Sequence, residues 1–200
     1  MSRSIAIIDS GGANIASLLY ACQRLGHAAS LTTDAAEIQG ADRVILPGVG
    51  AAADAMQRLR DRGLIDVIRE LEQPVLGICL GMQLLAEASA EDDVECLGLI
   101  PGTVEKLEGG VHCPVPNMGW CPIEVTTDHQ LLTGLGTGSW FYFVHSYALP
   151  VNEYTVATAE HAATFSAIVS RRNFIAAQFH PERSSRHGAR LLQNFLEVAA

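Results

Sequence analysis

Short unbroken apolar runs alternate with apolar residues at helical spacing, and this alternation predicts the first half of the fold. Ile5 to Ile8 is a continuous run of strand length. Ile15, Leu18, Leu19, Cys22 and Leu25 then recur as one face of a helix until Gly26 stops them. Arg43 to Leu46 reads as a second buried strand, ending in Pro47-Gly48-Val49-Gly50. Helices are predicted from about Ala52 to Arg62 and near Leu64 to Leu71, followed by a strand through Val75, Leu76 and Ile78. Met82, Leu84 and Leu85 open a further apolar helix face, which leaves Cys79 at a strand-to-helix turn between Gly77 and Gly81. Strands alternating with helices imply a mostly parallel central sheet with helices on both faces.

In the second half the period shortens. Cys121 to Thr126, Ser139 to His145, Tyr154 to Ala159, Ala167 to Ser170 and Phe174 to Phe179 are strand-like and joined by turn residues. Ala189, Leu192, Phe195, Leu196 and Ala199 mark a closing helix from about Ser185 to the end. The expected fold is an α/β core with a smaller β-rich region in its second half. The 200 residues, 48% hydrophobic and 18% charged, suit one domain over residues 1–200.

The net charge of −9 argues against binding to nucleic acid or to anionic lipid. No apolar run is long enough to span a membrane, and the segment before Asp9 is too short for a signal-peptide core. Five cysteines, at 22, 79, 96, 113 and 121, form neither a CxxC pair nor an even framework, so a reducing cytoplasm is the expected home. The histidines at 27, 112, 129, 161 and 187 lack ligand-like spacing; they are expected to face solvent, and neither a metal nor a cofactor is expected.

A cysteine in a buried strand is by default a small core hydrophobe. At a strand end before a helix, however, a thiol meets the positive end of the helix dipole, and free backbone N–H groups can hold an oxyanion. Such a nucleophile needs a base and an orienting acid. His180 and Glu182 are the candidates, because Gln178-Phe179-His180-Pro181-Glu182 follows an apolar strand and Pro181 turns the chain so that Glu182 can come back toward the imidazole. These three residues form a candidate triad for acyl transfer.

The segment Gly77-Ile78-Cys79-Leu80-Gly81-Met82-Gln83 with the later His180-Pro181-Glu182 resembles the class I (triad) glutamine amidotransferases, over essentially the whole chain. Ile8-Asp9-Ser10-Gly11 with Asn14, Leu46 to Gly50, Val115 to Trp120, Phe141 to Tyr147 and Gln178 to Ser184 extend the resemblance. Within the family, their order is similar to that of glutaminase subunits that pass ammonia to a (β/α)8-barrel cyclase making imidazole glycerol phosphate and AICAR in histidine biosynthesis. The resemblance implies a flavodoxin-like fold and L-glutamine as substrate. It makes Cys79 the nucleophile, His180 the acid/base and Glu182 its partner.

It further implies an oxyanion hole at Val49, Gly50 and Leu80, and substrate contacts at Gly48, Gln83, Glu91, His145, Ser146 and Tyr147. Asn14, Asn117, Met118 and Trp120 fall at the expected surface toward the cyclase. Where the family usually has His before Met-Gly-Trp and Asn after it, this chain has Asn117 and Cys121. Two alternatives stay open: the glutaminase of another pathway, such as anthranilate or GMP synthesis, and a non-catalytic regulatory domain on the same fold.

Overall fold

A computed structural model describes residues 3–11, 15–111 and 113–197. The first half alternates as expected: β1 (Ile5–Ile8), α1 (Ile15–Arg24), β2 (Ala29–Thr32), α2 (Ala35–Gly40), β3 (Arg43–Gly48), α3 (Ala52–Asp61), α4 (Leu64–Arg69), β4 (Val75–Cys79) and α5 (Leu80–Leu85). Gly26 ends the first helical segment in the left-handed region at φ +83°, its N–H bonded to Gln23 O at 3.0 Å, which is the stop its position implied. Neither β2 nor α2 is signalled by periodicity. The first is an edge strand with only Thr32 buried, and the second has six residues capped by the Asp34 side chain on Glu37 N.

The second half is β-rich: β5 (Ala86–Ser89), β6 (Val94–Glu95), β7 (Ile100–Lys106), β8 (Asn117–Pro122), β9 (Glu124–Val125), β10 (Trp140–His145), β11 (Tyr147–Ala148), β12 (Thr155–His161), β13 (Ala163–Arg171) and β14 (Phe174–Ala177), closed by α6 (Ser185–Glu197). The strand expected over Cys121 to Thr126 is two strands, β8 beginning four residues earlier and β9 following Ile123. The helix expected after Cys79 stops at Leu85. All six of its residues are buried, and the chain leaves directly into β5.

The central sheet has the order β2-β1-β3-β4-β14-β13-β12-β9, parallel from β2 to β14 and antiparallel beyond. Alternate residues of β1 feed two cores. Ile5 and Ile7 pack with Leu18 and Cys22 of α1 and with Leu191 and Phe195 of α6. Ala6 and Ile8 pack with Ile38, Met56, Leu59 and Ile68 on the opposite face. Burial on both faces explains why the parallel strands read as continuous apolar runs. A four-stranded sheet (β11-β7-β5-β6) and a two-stranded ribbon (β10-β8) flank this core, and the ribbon's inward Phe141 and Phe143 join the α1/α6 side.

Candidate active site

Neighbouring β3, β4 and β14 end at one level of the sheet, because Gly48 is in register with Cys79 and Ala177 with Ile78. The carboxyl ends of parallel strands are where α/β sheets place their ligands. Cys79 takes φ 54°, ψ −113°, a conformation costly for any residue with a side chain, with α5 starting at the next residue. Glycines make this turn possible. A Cβ on Gly81 would lie 1.8 Å from Leu46 O, and one on Gly48 would lie 2.9 Å from Leu80 Cβ, so only hydrogen at these positions lets the helix start lie against β3.

His180 arrives from the end of β14 and is held on the ribbon by its own N–H, which donates to Tyr142 O at 2.9 Å. Pro181–Arg183 forms a 3-10 turn that returns Glu182, and His180 Nδ1–H donates to Glu182 Oε1 at 2.9 Å. Both side chains are buried. Burial alone would lower the imidazole pKa, but the interactions with Cys79 and with Glu182 outweigh it and raise His180 to about 10. His180 is therefore imidazolium at neutral pH, beside a sulfur that also faces Val144 O at 3.7 Å and Gln178 Nε2 at 3.9 Å.

A cavity of about 370 Å³ opens in front of Cys79 and His180. Val49, Gly50, Leu80, Gln83 and Glu91 line it, as do His145, Ser146 and Tyr147 on the facing wall. Eight residues expected at the oxyanion hole or substrate thus surround one space with the triad. Gly48, also expected to contact substrate, is not among the lining residues and packs instead against the start of α5 at Leu80 and Gly81. Gln83 donates to Tyr147 O at 2.8 Å and to Gln178 Oε1 at 3.1 Å, and Glu91 accepts from Ala52 N at 3.0 Å. His145 is buried, which lowers its pKa to about 4 with further push from the charges of His161 and His180 against the favourable bond to Tyr147 O.

The expected partner-facing residues divide. Met118 and Trp120 are exposed, together with Trp140 on the paired strand. Asn117 is buried, contrary to its expected place on the surface; its amide turns inward to His145. Asn14 lies outside the described residues. Sequence reasoning missed Arg183, which lines the cavity with its guanidinium 4.7 Å over the Tyr142 ring, and the contact of Gln178 with the sulfur. The signal for Gln178 was its place two residues before His180, on the same side of an extended chain.

The remaining histidines do not simply face solvent. Histidines 27, 129, 161 and 187 are half-buried; His129 accepts from Leu131 N, His161 bonds Pro114 O and His187 accepts from Trp140 N, while His112 lies outside the described residues. Among the described residues no three His, Cys, Asp or Glu side chains converge as a metal-ion cage, and no helix is long and apolar enough to cross a membrane.

Residues 6–199 match the family model described as glutamine amidotransferase class-I. The chain is 53% identical over 195 residues to imidazole glycerol phosphate synthase subunit HisH of Xanthomonas axonopodis pv. citri, covering 98% of each chain. It is 47% identical over 204 residues to the subunit of the same name from Vibrio cholerae, covering 99% of this chain and 100% of that one. Among solved structures, it resembles a putative GMP synthase protein from Thermoplasma acidophilum with a TM-score of 0.78 at 20% identity, covering 98% and 94% of the two chains. PurLQS from Thermotoga maritima gives 0.72 at 17% identity, covering 98% and 99%. At such identities the structural likeness concerns the fold alone.

Proposed function

The chain belongs to the class I glutamine amidotransferases, and from that premise we propose that it is the glutaminase subunit of an imidazole glycerol phosphate synthase. It hydrolyses L-glutamine to glutamate and ammonia for histidine biosynthesis. The observation that carries the chemistry is the convergence on one cavity of a strained Cys79 turn and the buried His180–Glu182 pair.

In this mechanism the Cys79 thiolate, paired with the His180 imidazolium, attacks the side-chain amide carbon of glutamine. Backbone N–H groups at Leu80 and at Val49 or Gly50 receive the developing oxyanion. The imidazolium protonates the leaving nitrogen, ammonia departs, and a glutamyl thioester remains on sulfur. Neutral His180 then takes a proton from water as it attacks the thioester, and glutamate leaves with the thiolate restored. Glu182 keeps Nδ1 protonated and directs Nε2 at the reacting atoms throughout. Gln83, Glu91, His145, Ser146 and Tyr147 hold the amino acid, and the steps use only side chains, backbone and water.

Ammonia needs an acceptor, and the partner we propose is a (β/α)8-barrel cyclase subunit that incorporates it into imidazole glycerol phosphate. Exposed Met118, Trp120 and Trp140 on the ribbon beside the site supply an apolar surface suited to such a partner. The chain acts as one catalytic unit, since its central sheet draws strands from both halves of residues 1–200. The test is a glutaminase assay with and without the cyclase, paired with binding to that cyclase and to a chorismate-using synthase subunit. Turnover that depends on Cys79 and binding to the cyclase are expected; binding only to the chorismate-using subunit would overturn the assignment.

A further inference from the structure

The side chains of Asn117 and Cys121 form one hydrogen-bonded unit with buried His145. Asn117 is the register partner of His145 across the β8–β10 ribbon. Its amide lies 3.1 Å from His145 Nε2, and His145 Nδ1 lies 2.9 Å from Tyr147 O. A carbonyl only accepts, so Nδ1 carries the proton. In a neutral ring Nε2 is then bare, and only the NH2 side of Asn117 satisfies it. That leaves Asn117 Oδ1 for the Cys121 thiol at 3.7 Å.

A second set of hydrogen bonds, nearer the nucleophile, meets the first at the Tyr147 carbonyl. Tyr147 O accepts from both His145 Nδ1 and Gln83 Nε2, the latter at 2.8 Å. The second proton of the Gln83 amide goes to Gln178 Oε1 at 3.1 Å. Gln178 is therefore turned with its NH2 group toward Cys79 Sγ, at 3.9 Å. Each donor is oriented by the next acceptor.

We infer that Asn117 is a positioning residue: with its Oδ1 engaged by the Cys121 thiol it offers only its NH2 to His145 Nε2, and so holds His145 as a neutral ring in the wall of the cavity. Cys121 completes the device by donating to Asn117 Oδ1. Burial raises the Cys121 pKa against the opposing effect of its bond to Asn117, which keeps it the thiol that donation requires. The titratable groups bearing on His145 are His161 and His180, both acting against its protonation, and the packed neighbours Phe143 and Phe165 are apolar. This inference rests on the glutaminase reading for its kinetic consequence but not for its geometry.

The experiment has two arms. Nitrogen-detected imidazole NMR on the full-length wild-type chain is expected to show His145 neutral, protonated at Nδ1 and bare at Nε2, between about pH 6 and 8. An Nε2–H tautomer or an imidazolium would overturn the proposal. In the second arm Asn117→Asp and Asn117→Leu are assayed for glutaminase in the synthase complex. The aspartate only accepts, so Nε2 must take a proton; we expect kcat/KM to fall about tenfold and to gain an ionisation between about pH 6 and 8. The leucine, which adds no charge, is expected to lose roughly three- to tenfold with no new ionisation. Wild-type kinetics and pH profile in both variants would overturn the proposal. A wild-type chain with the expected tautomer but no glutaminase activity would instead refute the functional reading alone.

Discussion

Replacing Glu182 by Gln removes a buried charge while keeping the shape of the triad. The carboxylate accepts from His180 Nδ1 at 2.9 Å with 6% of its side chain exposed, and its other oxygen has no hydrogen-bond partner among the described residues. Its charge is thus answered almost wholly by the imidazolium. A hydrogen bond to a charged group contributes about 1.5–3 kcal/mol, so kcat/KM should fall about 10- to 150-fold if the imidazolium protonates the leaving ammonia. The pH profile moves too. In the wild type His180 is raised from 6.5 to about 10, so the alkaline limb lies high; with the carboxylate gone, burial gains on the remaining pull of Cys79 and the limb shifts toward neutrality.

Stability follows the same charge. Because the folded-state pKa lies above the unfolded value, the imidazolium's contribution is whole below pH 6.5 and is lost as pH climbs toward 10. The gap in melting temperature between wild type and Glu182→Gln should therefore be widest near pH 6.5 and close toward pH 10. Glutaminase rates in the synthase complex and thermal melts across this range provide both readouts. A variant within about twofold of wild-type kcat/KM, with the same alkaline limb, would refute the argument that the carboxylate sustains the imidazolium.

Cys79→Gly should abolish turnover yet raise stability by about 1 kcal/mol in denaturant titration, because glycine relieves the positive φ; a destabilised variant would show that the turn stores no strain. Gly81→Ala, whose Cβ would sit 1.8 Å from Leu46 O, should lose about 3 kcal/mol or more by the same measurement as the start of α5 is forced off β3. Trp120→Ala removes an aromatic that is 46% exposed and should weaken cyclase binding by at least about tenfold in calorimetry while leaving the melting temperature of the isolated chain within about 2 °C of wild type.

What the sequence made legible follows from where burial comes from. β1, β3 and β4 are covered on both faces, so apart from Arg43 at the start of β3 they carry no charged or polar residue before their carboxyl ends, and Cys79 and His180 stand out as chemistry placed where such runs end. β2 escaped notice because it is an edge strand, with Leu31 exposed and the polar Thr32 buried. The strands from Ala86 to Lys106 were invisible for a related reason: they are short, rich in Ala, Ser, Glu and Gly, and defined by pairing with one another. The early end of α5 was hidden because a helix buried all round carries no 3.6-residue pattern.

In the site, the approach of Glu182 to His180 was readable from local order, because Pro181 between them makes the turn. The inward role of Asn117 was not. It sits in a strand beside exposed Met118, and only pairing with His145, 28 residues away, decides which way it faces. The half-buried histidines illustrate the same limit, since the bonds of His161 to Pro114 O and of His187 to Trp140 N each span 47 residues.

The most direct test of the account is to mix the synthase complex with glutamine, quench in acid within the first turnover, and map the labelled peptide by mass spectrometry. A glutamyl thioester on Cys79 alone, formed with release of ammonia, is the expected result; the buried thiols Cys22 and Cys96, raised to about 11, serve as internal controls. Ammonia release with no thioester at Cys79, or with the label on another cysteine, would contradict it.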